Sequence, residues 1–169
     1  PGGRGAHPAV QDPRPPLPAR ALIDTCLAVD VGGTKLAAGV VDREGRLLHG
    51  EHVPTPPGAD ARALLDQLTG LLAGVRSRAA EAGWTLVACG IGCGGPMTLA
   101  AGMVSPLNIP GWRDFPLRLA VAELTGLDTH LDNDAKALAL GEGWVGAAAG
   151  RRDFLAMVVS TGVGGGIVL

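Results

Sequence analysis

Three short stretches of this chain carry residue types suited to phosphate chemistry. Asp30 to Lys35 reads DVGGTK, Leu131 to Lys136 reads LDNDAK, and Ser160 to Gly166 reads STGVGGG. Each glycine stretch follows an apolar β-type run, Cys26 to Val29 in one case and Leu155 to Val159 in the other. Each leads into a further apolar run rather than a helix. A strand, a turn of small residues and a returning strand form a hairpin whose free backbone N–H groups can grip a phosphate. In the first hairpin Gly32 and Gly33 permit close approach, Thr34 adds a hydroxyl donor, and Asp30 at the strand end can hold magnesium directly or through water. The GxxxxGK[ST] spacing of a Walker A loop is absent, and Gly-Gly alone also suits a plain hairpin turn. The second stretch gives the same picture with more glycine, at a cost in chain entropy that a simple turn seldom needs.

LDNDAK supplies the carboxylate. With Asp132 or Asn133 as helix N-cap, Asp134 falls in the first helical turn, where the positive end of the helix dipole keeps it ionised. Phosphoryl transfer has a loose transition state and needs the acceptor's proton removed only late, so an ordinary aspartate suffices as base. Asp134 also suits the plainer role of stabilising the helix start. Two phosphate hairpins with a carboxylate between them nevertheless point to phosphoryl transfer.

These stretches need a framework, and the rest of the chain supplies it. Strands are expected from about Ile23 to Val31, Lys35 to Val41 and Arg46 to Val53, the last two joined by the turn-forming Asp42-Arg43-Glu44-Gly45. Ala61, Leu64, Leu65, Leu68, Leu71, Leu72, Val75 and Ala79 recur at helical spacing, with charged residues opposite and Gly83 as the stop. Leu86 to Ile91 reads as a buried strand. Pro116 opens a second helix that Gly126 ends, a short strand spans Thr129 to Leu131, and a third helix runs from about Asn133 to Trp144. Two strands finish the chain. Antiparallel strands first and parallel crossovers afterwards fit an α/β fold: a ribonuclease-H-like (actin-like ATPase) lobe, with a mixed β-sheet flanked by helices. Residues 1–21, rich in proline and without periodicity, read as a disordered tail or linker, and 22–169 as the N-terminal lobe of a chain that stops before a C-terminal lobe.

The 169 residues are 47% hydrophobic but only 3% aromatic, so the core must be built from Ala, Val, Leu and Ile. A formal net charge of −2 gives no electrostatic reason to expect nucleic acid, and no apolar run reaches the length of a membrane span. Cys26, Cys89 and Cys93 are expected as buried free thiols, consistent with a reducing, cytoplasmic compartment. Gly90, Gly92 and Gly95 match GxGxxG, but Pro96, Pro106 and Pro110 follow where a dinucleotide site needs a helix. That segment reads instead as a loop lining the pocket of a small polar ligand. In the loop after it, Asn108 could bond a sugar hydroxyl as donor and acceptor together, or simply form a turn with Trp112 covering the core edge.

DVGGTK, GIGCGGP, PLNIPGW, LDNDAKALALGE and STGVGGGI, in this order, resemble the ROK family of sugar kinases and sugar-responsive repressors, and most of all its bacterial glucokinases. The resemblance implies ATP with magnesium and transfer of the γ-phosphoryl to a hexose hydroxyl, with glucose converted to glucose 6-phosphate. By position it makes Asp134 the base and Asn133 a sugar ligand, with Gly95 and Asn108 also lining the sugar site. It makes Asp30, Gly32, Gly33, Thr34 and Lys35 the first phosphate hairpin, and Thr161, Gly162, Gly164 and Gly165 the second. It implies a homo-oligomer for the whole protein, and a structural zinc only in a part that would follow Leu169. Lys136 departs from the family's common Asn and brings a charge to the site. An alternative within the same resemblance is the effector domain of a sugar-responsive repressor, with 1–21 as the linker from a helix-turn-helix; a third is a degenerate, non-catalytic lobe.

Overall fold

The structure, a computed structural model, describes residues 23–159 and 163–169. Five strands form the central sheet: β1 (Ile23–Val31), β2 (Lys35–Asp42), β3 (Leu47–Pro54), β4 (Trp84–Cys93) and β7 (Thr129–Asn133), in the order β3-β2-β1-β4-β7. The β1–β2 and β2–β3 pairs are antiparallel, whereas β4 lies parallel to β1 and β7 parallel to β4. The sheet is therefore mixed, as expected.

One face of the sheet makes the core. Leu27, Val29 and Val31 alternate along β1, beside Leu36, Ala38 and Val40 of β2 and Cys89, Ile91 and Cys93 of β4, all buried. Against them packs helix α1 (Ala61–Ala82), burying Leu64, Leu68, Leu71, Leu72, Val75 and Ala79. Each of these leucines and the valine, taken from water, contributes about 1.5–3 kcal/mol. Asp60 caps the helix by accepting from the Ala63 N–H at 2.8 Å, and Gly83 ends it in the left-handed conformation (φ 75°). Helix α2 (Leu117–Thr125) adds Leu117 and Val121 to the same core.

The opposite face is built from small residues, because neighbours in register share a face. Asp30 pairs with Gly92 and Gly92 with Asp132; behind that row come Ala28 with Gly90, and Gly90 with His130. Helix α3 (Asp134–Val145) crosses this side. A β-carbon on Gly92 would lie 3.6 Å from Asp134 Cα, and one on Gly45 would lie 2.6 Å from Val145 Cγ1. Cys26 belongs to this row of residues and is exposed, so the expectation of three buried thiols holds only for Cys89 and Cys93. The apolar run around Cys26 hid its outward parity.

The segment after Ile91 also differs from its reading as a loop. Gly92 and Cys93 still belong to β4, and Gly92 faces the start of α3 at contact distance rather than forming a turn. A small hairpin, β5 (Met97–Thr98) with β6 (Met103–Val104), follows in place of a dinucleotide-site helix. The last hairpin, β8 (Phe154–Val159) with β9 (Val163–Val168), is a separate two-stranded sheet laid on α3. No described helix is long and apolar enough to cross a membrane.

Candidate active site

The carboxyl ends of β1, β4 and β7 lie side by side, and the residues singled out for chemistry converge there. Asp30 and Val31 close β1, Gly92 and Cys93 close β4, and Asp132 and Asn133 close β7. Asn133 is the N-cap of α3: its Oδ1 accepts from the Ala135 N–H at 3.1 Å, which leaves its side-chain NH2 for a ligand. Asp134 opens the helix. Its Oδ1 accepts from the same N–H at 2.8 Å, and no described protein donor holds Oδ2. A β-carbon on Gly94 would come within 3.9 Å of that oxygen, so the glycine run of β4 and its exit keeps Asp134 uncovered.

Asp30 and Asp134 are close enough to feel each other. Partial burial pushes the Asp30 carboxyl above its ordinary range and the Asp134 charge adds to this, while the Lys35 ammonium acts in the opposite sense. Beneath them the Cys93 thiol is pushed up to about 12, first by burial and then by the charges of Asp134 and Asp30. Cys93 is thus a neutral wall at neutral pH.

The first glycine turn joins β1 to β2. The Gly32 N–H is already committed to Lys35 O at 3.0 Å, so this amide is not available to a phosphate. The Gly33 and Thr34 N–H groups have no acceptor among the described residues. Thr34 and Lys35 are exposed. Gly33 is backed by Asn108: a β-carbon at 33 would overlap Asn108 Cβ, so glycine is obligatory for the contact. The Leu107 N–H donates to Gly95 O at 3.3 Å and brings Gly95 beside Asn108. The Arg113 Nη1 donates to the carbonyls of Pro106, Ile109 and Trp112 at 3.0, 3.0 and 2.6 Å and shapes the loop that carries Asn108. Buried Trp112 anchors that loop, stacked on Phe115 with ring centroids 4.5 Å apart.

Of the second glycine stretch, Thr161 and Gly162 lie outside the described residues. Gly164 and Gly165 are strand residues of β9. A β-carbon on Gly164 would lie 3.0 Å from Ala135 Cβ, so the start of β9 approaches the helix turn next to Asp134. Gly165 faces the other way, towards the Ala156 carbonyl and Met157. The Lys136 Nζ stands 3.6 Å from Asp132 Oδ1, one turn along α3. Asp30, Gly33, Thr34, Lys35, Gly95, Asn108, Asn133 and Asp134 thus share one end of the sheet. Arg113 and Gly94 were not singled out from the sequence, and only the density of glycine in GIGCGG signalled Gly94.

A mixed sheet with carboxylates at its parallel strand ends and a glycine hairpin across from them defines a lobe of the actin-like ATPase fold. The chain belongs to the ROK family, whose profile matches residues 26–169. It is similar to a solved ROK family glucokinase from Streptomyces griseus in complex with glucose and AMPPNP, at 39% identity and a TM-score of 0.75 over 86% of this chain and 44% of that one. A Streptomyces coelicolor glucokinase is 38% identical over 85% of this chain and 43% of its own length. An N-acetylmannosamine kinase of Salmonella arizonae is 39% identical over 85% of this chain and 47% of its own. The chain therefore spans rather less than half the length of these relatives.

Proposed function

We propose that this chain forms the lobe of an ATP-dependent sugar kinase that carries the base and the first phosphate hairpin, with glucose as the acceptor. The observation that carries the reading is Asp134, placed on the first turn of α3 with Oδ2 clear of donors among the described residues, and within electrostatic reach of Asp30. The similarity to glucokinases supports the choice of sugar. Asn133, Asn108 and the Gly95 backbone offer donors and acceptors for hexose hydroxyls, and the acceptor hydroxyl lies against Asp134. Its oxygen bonds to the γ-phosphorus as the bond to the β,γ-bridging oxygen breaks; its proton passes to Asp134, and ADP leaves.

The N–H groups of Gly33 and Thr34 and the Lys35 ammonium receive phosphate oxygens, with the residues around Thr161 to Gly165 as the second hairpin. A magnesium ion fits the first hairpin's own carboxylate. Asp30 is a hard oxygen donor, partly desolvated and repelled by Asp134, which is the electrostatic setting that a cation relieves. Bound there, magnesium would neutralise phosphate charge.

The test is Asp134→Asn in the kinase that contains this chain, assayed with glucose and Mg-ATP. Turnover should fall by about 10²–10⁴-fold with little change in the glucose KM. Retention of near-normal turnover would remove Asp134 as the base.

A further inference from the structure

Thr55 follows the last residue of β3 and is buried, 7% exposed, although its side chain is polar. Pro54 pairs with Lys35, so Thr55 stands directly across from the Gly32-Gly33-Thr34 turn. It holds that turn at two points: its Oγ1 donates to Gly32 O at 2.7 Å, and its N–H donates to Thr34 O at 3.0 Å. The consequence follows from peptide geometry. In a planar trans peptide the C=O and the following N–H point in opposite directions. The only cis peptide among the described residues is Gly95-Pro96, so both turn peptides are trans. Drawing Gly32 O and Thr34 O towards buried Thr55 therefore aims the N–H groups of Gly33 and Lys35 away from it.

Without the hydroxyl, the peptide between two glycines is free to flip, because neither residue has a β-carbon to resist it. A flipped peptide presents a carbonyl oxygen where an anion would sit. Asn108 closes the other flank of Gly33, so the turn is held from both sides.

We propose that Thr55 is a positioning residue for the phosphate turn: its side-chain hydroxyl, through Gly32 O, fixes the Gly33 N–H in the direction that receives a nucleotide phosphate. This rests on the kinase reading above, and it adds a residue outside the glycine motif.

The experiment is calorimetric titration of the kinase that contains this chain with Mg-ATP, alongside its Thr55→Val, Thr55→Ser and Thr125→Val variants. Thr125 is the control for a lost buried hydroxyl: it is also 7% exposed, and its Oγ1 donates to Val121 O at 2.7 Å, on α2. Thr55→Val should weaken Mg-ATP binding about tenfold, the scale of one lost hydrogen bond, and Thr55→Ser should restore it to within about twofold. Thr125→Val should lower the unfolding temperature without changing affinity. The Gly33 amide resonance of the unsubstituted kinase should shift on titration with Mg-ATP. Equal affinity of Thr55→Val and the unsubstituted kinase, a matching loss in Thr125→Val, or a Gly33 amide unmoved by bound nucleotide would each overturn the role of Thr55. Failure of the unsubstituted kinase to bind Mg-ATP would instead overturn the kinase reading itself, and the role of Thr55 with it.

Discussion

Asp30 and Asp42 lie at opposite ends of the first hairpin and are tuned in opposite directions. Asp30 is held above the ordinary carboxylate range by burial and by Asp134, so at neutral pH its charge opposes folding. Asp30→Asn should therefore raise the melting temperature at pH 7 while weakening nucleotide binding. The gain should vanish below the carboxylate's unfolded value of 3.8, where both states are protonated. Burial pushes Asp42 up too, but its contacts win: Oδ1 accepts from the N–H groups of Glu44 and Arg46, and Oδ2 from Arg46 Nε at 2.6 Å, and the net result is a lowered value. A lowered carboxylate contributes stability above its unfolded pKa and loses it as the pH falls through the folded one. Asp42→Asn should cost about 1–3 kcal/mol in urea unfolding at pH 7, and much less at pH 2. The thiols make a third case. Exposed Cys26 should react with a thiol reagent at pH 8 in the native chain, whereas Cys89 and Cys93, both pushed up to about 12 chiefly by burial, should react only after unfolding.

At the scale of elements, legibility followed periodicity. Helix α1 was readable because its apolar residues recur at three and four and Gly83 takes the left-handed conformation, as Gly126 does after α2. The start of α3 was readable because Asn133 has the side chain of an N-cap. The β5–β6 hairpin was not, since strands of two residues have no period to detect. The end of β4 was misread because glycine argues for a turn when judged locally, whereas Gly92 is a strand residue whose neighbour across the face, α3, begins about forty residues later in the chain. Thr55 was invisible for a related reason, as its partners Gly32 and Thr34 become neighbours only when β3 pairs with β2. The glycines of β9 are a packing requirement. A β-carbon on Gly166 would lie 2.5 Å from Ala139 Cβ and 3.2 Å from Ala135 O. Gly166→Ala should push the hairpin off α3 and destabilise it by about 1–3 kcal/mol, measured as faster amide exchange in β8 and β9 with the central sheet unaffected.

For the molecule as a whole, the outer face of the last hairpin stands out. Leu155, Met157, Val159, Val163 and Ile167 are 57–73% exposed, and the register sets Leu155 against Ile167 and Val159 against Val163. Trp144 and Leu140 on α3 add further exposed apolar surface. A patch of this kind drives association. The 169 residues alone should therefore sediment as a concentration-dependent mixture, and Leu155→Lys with Ile167→Lys should shift it towards monomer. On the kinase reading proposed above, the same chain by itself should show no measurable hexose phosphorylation, because a single lobe does not exclude water from the acceptor.

The contact between the last hairpin and α3 has a mechanical meaning as well. Gly164 and Gly166 lie on Ala135 and Ala139 with no long side chains between them. Further along the helix the Phe154 ring of β8 sits over Gly143, where a β-carbon would lie 2.7 Å from its Cζ, so a knob pins the seam at a second point. Asp134 stands at one end of that same helix. Hairpin and helix are thus bolted together like two plates, and a force that shifts the hairpin should be passed on to the helix that carries the base.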